Sequence, residues 1–284
     1  MPAPGQGLIT AANLVNWIPT VWATDVISAV ENSLVVAQLY DRSYEQFARG
    51  GGDTIVIPRM ENISAHAVNT QQGTTVYQVV QNAENISLNQ KMDIAVAVDD
   101  INQIQTNPKY FEKIRQKMAY GLANIIDTNC SNAFRGWSNS DRGTLATALK
   151  ESDLIGCYED LNGANAPFED RAWVFDAESI TDLINNDFFT RMDYVPDSIV
   201  RSGFQGKQIF GSPVYMSTNL YTHATNEHVA GYFHREATAL VVQMQPEFEI
   251  ARLPLQHADA IIGMVIYGIK VVRPTFGTAM NTRS

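Results

Sequence analysis

The residues that could do chemistry are few and scattered. Five histidines stand at 66, 223, 228, 234 and 257. None forms a His-Glu-x-x-His pair, which would place two imidazoles on one helix face around zinc. His223, His228 and His234 come nearest to a cluster. Their spacing is loose and no cysteine lies near, so loop and packing roles are favoured over metal binding. Gly203-Phe-Gln-Gly206-Lys207 is superficially like a phosphate loop, but its spacing is wrong and Gln208 stands where Ser or Thr would bind magnesium. Gly50-Gly51-Gly52 precedes a β run instead of following one, so it is not a dinucleotide fingerprint. No Gly-x-Ser-x-Gly elbow occurs. The acid pairs Glu159-Asp160 and Glu169-Asp170 sit in polar stretches with no local cause for a raised pKa. Trp17, Trp22, Trp137 and Trp173 are not interleaved with basic residues, as a stacking platform for single strands would require. The sequence therefore offers no catalytic, cofactor-binding or metal-binding residues.

Bulk properties narrow the field further. The 284 residues allow one large domain or two modest ones, and 45% hydrophobic content excludes a disordered chain. A formal net charge of −10 argues against gripping a phosphate backbone, which needs clustered cations. The charge is uneven. Residues 101–150 carry 7 basic and 3 acidic side chains, and residues 151–200 carry 2 basic and 12 acidic ones. Either each is a solvated face, or one copy's basic segment meets another copy's acidic one. Only Cys130 and Cys157 are present, which points to a reducing compartment. No Lys or Arg precedes Arg42, so a signal-peptide n-region is absent. The apolar stretch from Trp17 to Leu39 is interrupted by Pro19, Asp25, Glu31 and Asn32, which excludes a membrane span there.

The elements fall into an order. Residues 1–50 read as an irregular arm followed by a helix from Thr20, with Val21, Trp22, Val26, Val30 and Leu34 near helical spacing. Short β runs follow at Thr54–Pro58, Ser64–Val68, Gly73–Tyr77, Ile86–Leu88 and Met92–Val98, and Pro58 marks an edge or a strand end. With polar connectors this predicts a long two-stranded excursion that packs on something beyond itself. Asn107-Pro108 opens a helix over 108–135, whose apolar stripe is Phe111, Ile114, Met118, Leu122, Ile125 and Cys130. Beyond it, the pattern predicts a helix over 145–158, a buried strand at Ala172–Phe175 and a helix from Asp176 to Ile184. A hairpin is expected around Phe210-Gly211. Strands are expected at Ala237–Val242, Phe248–Leu253 and Ala260–Val272, the last bending at Gly263 and Gly268. The class is α+β.

This layout resembles the major capsid (coat) proteins of tailed bacteriophages, with the Hong Kong 97-type fold. Gly52-Asp53-Thr54-Ile-Val-Ile-Pro58 is similar to the start of that family's extended loop, and Met92–Ile101 with Gln105 to its return strand. Helix 108–135 is similar to the spine helix of the peripheral domain. Phe210-Gly211-Ser-Pro213-Val214 resembles a turn of the axial domain, and Tyr267-Gly268 with Val271-Val-Arg273-Pro274 the closing strand.

The resemblance implies an N-terminal arm at 1–50 and an extended β loop at 51–91. It implies a peripheral domain at 92–144 and 265–284, and an axial domain at 145–264. It also implies a structural, non-enzymatic subunit that assembles into hexamers and pentamers, forming an icosahedral shell around phage double-stranded DNA. Such a shell is built in the host bacterial cytoplasm, binds no cofactor, and works with a portal protein and in some relatives a decoration protein. Candidate inter-subunit contacts are Lys109, Lys113, Arg115 and Lys117 on the helix, Arg59 and Tyr77 on the loop, and Trp17 and Trp22 in the arm. Some relatives crosslink through a loop lysine; here Lys91 is the only lysine between Gly51 and Asp99 and lies at the loop base, so no crosslink is expected. Only about 50 residues precede the loop, without heptads, so a separate scaffolding protein or none is expected. Alternatives are an encapsulin-like cellular compartment, a tail or baseplate protein, and a soluble α+β enzyme using His223, His228 and Asp259.

Overall fold

The computed structural model describes residues 35–48, 51–60, 81–100, 109–185, 208–223 and 227–283. The expected helix from Thr20, the strands at 64–68 and 73–77, the Asn107-Pro108 start and the 203–207 segment lie outside these residues. Two short helices come first, α1 (Val36–Leu39) and α2 (Glu45–Ala48). Then β1 (Thr54–Met60) and β2 (Gln81–Ser87) form an antiparallel ribbon, with Thr54 opposite Ser87 and Met60 opposite Gln81. A two-stranded ribbon is present, but its return strand is Gln81–Ser87, not the expected Met92–Ile101. Pro58 sits inside β1, which among the described residues pairs on one side only.

The next strand, β3 (Gln90–Asp99), leaves the ribbon and joins another sheet. Its inward residues include Met92, Ile94 and Val98, alternating with Lys91, Asp93 and Ala95. Helix α3 (Lys109–Asn132) tightens into a 3-10 turn at Ala133–Gly136, within the expected span. At ~1.5 Å per residue it is about 36 Å long. Its buried stripe runs through Met118, Leu122, Ile126 and Cys130. Ile125, expected on that stripe, is 41% exposed, and its neighbour Ile126 takes the inward place.

After β4 (Asn139–Arg142) comes α4 (Glu151–Gly163), later at both ends than the expected 145–158. Ala146 has φ 58°, a left-handed conformation that cannot start a helix, and Asp153 accepts the Lys150 N–H to cap the true start. Leu154, Cys157 and Leu161 carry the buried stripe past Tyr158. Strand β5 (Arg171–Phe175) is buried throughout, and Asp176 caps α5 (Ala177–Asn185) by accepting the Ser179 N–H. Next, β6 (Gln208–Ile209) and β7 (Ser212–Met216) form a hairpin through Phe210 and Gly211, both at positive φ, which gives a tight two-residue turn.

The remaining strands are β8 (Thr222–His223), β9 (Glu227–His234), β10 (Thr238–Leu253), β11 (Ala258–Val271) and β12 (Gly277–Asn281). The two strands expected at 237–242 and 248–253 are one. Register slips at Val242/Met244 and Met244/Glu247 let Pro246 lie in the strand despite its missing N–H. The expected bends in β11 are absent: it pairs with β3 without a break from Ala258/Asp99 to Tyr267/Gln90. Gly263 and Gly268 serve close approach instead. A Cβ on Gly263 would lie 2.5 Å from Cε1 of Phe248, and one on Gly268 would lie 2.4 Å from the Ser87 carbonyl oxygen.

Two sheets organise the body. One has the order β10-β11-β3, and the larger runs β4-β12-β9-β5-β7-β6 with β8 beside β9. The three-stranded sheet joins residues on both sides of the expected boundary at 264/265, and β12 lies among strands from 139–234. The main core runs from α3 and the three-stranded sheet it packs on into the larger sheet. In the larger sheet the rings of Trp173 and Tyr232 stack 3.8 Å apart; beside it Trp137 stacks on Phe134, and Phe233 lies tilted against both. A smaller core of Ala48, Ile86, Leu88, Ala239 and Val241 seats the base of the ribbon.

Candidate functional site

The enzyme alternative can be followed residue by residue. His228 on β9 approaches the Thr222 hydroxyl through Nδ1 at 3.4 Å. Asp259 lies on β11, in the other sheet, and pairs with Arg252 at 3.0 Å. The two are not brought into one hydrogen-bonded set. His234 is buried and accepts the Glu236 N–H through Nδ1 at 3.2 Å, capping the turn at Arg235–Ala237; burial lowers its pKa. Asp160 forms a two-bond pair with Arg142, at 2.6 and 2.9 Å, while Glu159, Glu169 and Asp170 are exposed. Burial pushes both cysteine thiols above their usual range, which keeps them protonated and unreactive. Among the described residues no three His, Cys, Asp or Glu side chains gather as a metal site, and no helix is long and apolar enough to cross a membrane.

A cavity of about 280 Å³ lies against the three-stranded sheet, lined by Lys91, Met92, Asp93, Met244, Glu249, Ile262 and Met264. Its walls are thioether and aliphatic with a charged rim. They hold no hydroxyl, thiol or imidazole, and Lys91, Asp93 and Glu249 are all exposed, so the site suits contact with a surface better than a reaction.

The elements that reach outward are better candidates. The ribbon has a half-buried face, Ile55 and Ile57 with Ile86, and an exposed face with Val56, Pro58 and Ala83. The β10–β11 hairpin ends in a 3-10 turn, Pro254–Gln256, where Leu255 is 99% exposed. This tip is held by ion pairs. Arg252 on β10 bonds Asp100 beyond β3 at 2.5 and 2.7 Å, and Asp259 on β11 at 3.0 Å. The Arg252 hydrogen bond holds the Asp100 carboxyl below its usual range.

Of the residues expected at subunit contacts, Lys113 is half-buried while Arg115 and Lys117 are exposed. Lys113 and Lys117 stand about one turn apart on α3, with Arg115 about 200° round from Lys113, so the three do not make a single basic face. The side chains of Lys109 and Arg59 lie outside the described set, as do Tyr77, Trp17 and Trp22. The hairpin tip was missed in the sequence because Pro-Leu-Gln-His reads as an ordinary turn.

No protein-family model matches the sequence, and no curated protein matches it. Solved structures do. A chain from Mycobacterium phage Che8 is 23% identical with a TM-score of 0.76, covering 93% of this chain and 96% of that one. The capsid structure of cyanophage P-SCSP1u matches at 17% identity and TM-score 0.74, covering 93% and 92%. The capsid of a native GTA particle matches at 8% identity and TM-score 0.71, covering 98% and 99%. The fold is the Hong Kong 97-type capsid fold. The three matches cover 93–98% of this chain and 92–99% of the others. At 8–23% identity the likeness lies in the backbone path, which survives extensive replacement of side chains when burial pattern and volume are kept.

Proposed function

We propose that the chain is a major capsid protein, whose copies form hexamers and pentamers of an icosahedral shell around phage double-stranded DNA. The observation that carries this is the end-to-end match to chains of phage and GTA capsids. The physical design supports it. A ribbon whose base is seated in the small core and a hairpin tip with an exposed leucine are elements that gain partners when copies tile a closed surface. An acidic chain lines a DNA container without holding the DNA tightly. In this reading residues 1–50 are an arm, residues 51–91 a loop over a neighbour, and the contacts include Lys109, Lys113, Arg115, Lys117, Arg59, Tyr77, Trp17 and Trp22. A portal protein, a separate scaffolding protein or none, and the decoration protein that some relatives carry complete the reading, and the product is a virion capsid assembled in the bacterial cytoplasm.

Negative-stain electron microscopy of the expressed chain, alone and with its scaffolding protein, tests the reading. Uniform hollow shells or capsomers are expected, and a persistent small monomer or dimer overturns it. Nuclease-protected double-stranded DNA in native particles is the second expected result. Shells loaded with a cellular enzyme and no DNA would instead mark a cellular compartment. Boiling mature particles in SDS should release single chains, because Lys91 lies at the loop base. Reversing the charge of Lys113 and Lys117 should weaken assembly in a salt-dependent way.

A further inference from the structure

The first N–H groups of a helix need acceptors that the helix cannot supply. α1 is four residues long, and Val35 before it offers no side-chain cap. Its acceptor comes from α3: the Ala37 N–H donates to Oδ1 of Asp127 at 2.9 Å, 90 residues away in sequence. Asp127 is fully buried, and its Oδ2 accepts from Nδ2 of Asn219 at 3.1 Å. Both partners are neutral. One turn along, the Tyr40 hydroxyl donates to the Cys130 carbonyl at 2.7 Å, and the Ser131 hydroxyl donates to the Asn219 carbonyl at 2.9 Å. Burial raises the Tyr40 pKa well above its usual value, so the phenol keeps the proton it donates. On the other side of this segment, Asp41 N–H donates to the Thr238 carbonyl at 3.2 Å and Leu240 N–H to the Asp41 carbonyl at 3.0 Å. A single turn of the long helix thus gathers the segment 36–41 and the loop around Asn219.

A buried carboxylate facing only neutral donors is expensive to desolvate, and an apolar side chain would fill the same space at lower cost. What the carboxylate adds is two acceptors aimed in different directions. We propose that Asp127 is a positioning residue, an N-cap for α1 supplied from the spine helix, which fixes the point where residues 1–34 join the body. Each subunit then presents its arm from one defined root. The consequence for shell building rests on the capsid reading, whereas the capping does not.

Amide hydrogen exchange on the unassembled full chain tests it, comparing wild type, Asp127→Leu and Asp127→Asn. Leucine nearly keeps the volume and removes both acceptors, whereas asparagine keeps one oxygen that can still face the Ala37 N–H. The Ala37 amide should exchange about tenfold faster or more in Asp127→Leu, the scale of a lost hydrogen bond, and less so in Asp127→Asn. The amides of β5 should stay within about twofold of wild type if the effect is local. Shell yield should fall in Asp127→Leu. Unchanged exchange at Ala37 in Asp127→Leu overturns the proposal. So does acceleration of β5 in step with Ala37, which is a loss of global stability, and so does faster Ala37 exchange in Asp127→Asn than in Asp127→Leu. Should Asp127→Leu not fold, Ala37→Pro deletes the same bond from the donor side, since proline is tolerated in a first helical turn. The Asp41 amide should then exchange faster, and unchanged protection there overturns the proposal. A wild-type chain that never assembles counts against the capsid reading and leaves the exchange result standing.

Discussion

Gly268→Ala should lift the loop ribbon from the body. The new Cβ would lie 2.4 Å from the Ser87 carbonyl oxygen and 3.1 Å from Cδ2 of Leu88. Ordinary C···O contacts sit at ~3.3–3.6 Å, so the overlap is about 1 Å. Neither side yields easily. Gly268 is paired with Val241 in the long hairpin, Ser87 is paired with Thr54, and Leu88 is buried at 4% exposure in the small core. Relief therefore requires backbone movement, which places the cost near the top of the overpacking range, about 3 kcal/mol. For a chain of this size that lowers the thermal midpoint by roughly 5–10 °C. Two controls set the scale. At Gly263 the obstacle is the Phe248 ring, a half-buried side chain that can rotate, so alanine should cost about 1 kcal/mol. At Gly163, the last residue of α4, nothing lies within 4 Å, and alanine should be neutral or stabilising by up to ~1 kcal/mol. Thermal and urea unfolding of the unassembled chain read all three. A Gly268→Ala midpoint within about 1 °C of wild type, or a Gly263→Ala cost above that of Gly268→Ala, refutes the reasoning.

Three further outcomes are expected. Burial depresses the His234 pKa below 6.5, so the unfolded chain takes up that proton first; the residue's contribution is complete above about pH 6.5 and is lost as pH falls through the folded-state value. His234→Asn keeps an acceptor for the Glu236 N–H and should flatten the fall of the unfolding midpoint as pH drops below 6.5, where an unaltered slope contradicts the assignment. Arg283 makes a two-bond pair with the nearly buried Asp182, which also accepts the Leu149 N–H. Arg283→Ala leaves the buried Asp182 carboxyl without its cation and should lower the urea midpoint; no change in midpoint denies the pair a structural role. Trp173→Ala removes the ring stacked on Tyr232 and should cost about 3–5 kcal/mol, with loss of near-ultraviolet circular dichroism; a native spectrum and midpoint would show that the stack is dispensable.

Where a pattern closes on itself within one element, the sequence was readable. Ala172–Phe175 is an uninterrupted apolar run between Arg171 and Asp176, and it forms a buried strand. Met118, Leu122 and Cys130 keep one helical phase, and the long helix forms around them. Where the deciding neighbour is far along the chain, the reading failed. A glycine in a strand signals either a bend or a close approach, and the Ser87 carbonyl that decides for Gly268 lies 181 residues earlier. Pro246 reads as a strand end until the paired register slips that absorb it are known. Ile125 and Ile126 fit a helical stripe almost equally, and only the facing sheet chooses between them. The outward contacts were the least legible. Leu255 stands 99% exposed at a turn, outside any helical or strand period, so no periodicity in this chain announces it.

The order β4-β12-β9-β5-β7-β6 sets a timetable for biosynthesis. Residues 277–281 occupy an interior place in the larger sheet, with β4 on one side and β9 on the other. On the ribosome, β5, β7 and β9 can pair as they emerge, but β4 has no strand to join and one edge of β9 stays open. The sheet closes only when those five residues leave the exit tunnel. β3 waits in the same way for β11, its only sheet partner among the described residues. A chain truncated or stalled before residue 258 thus lacks both finished sheets.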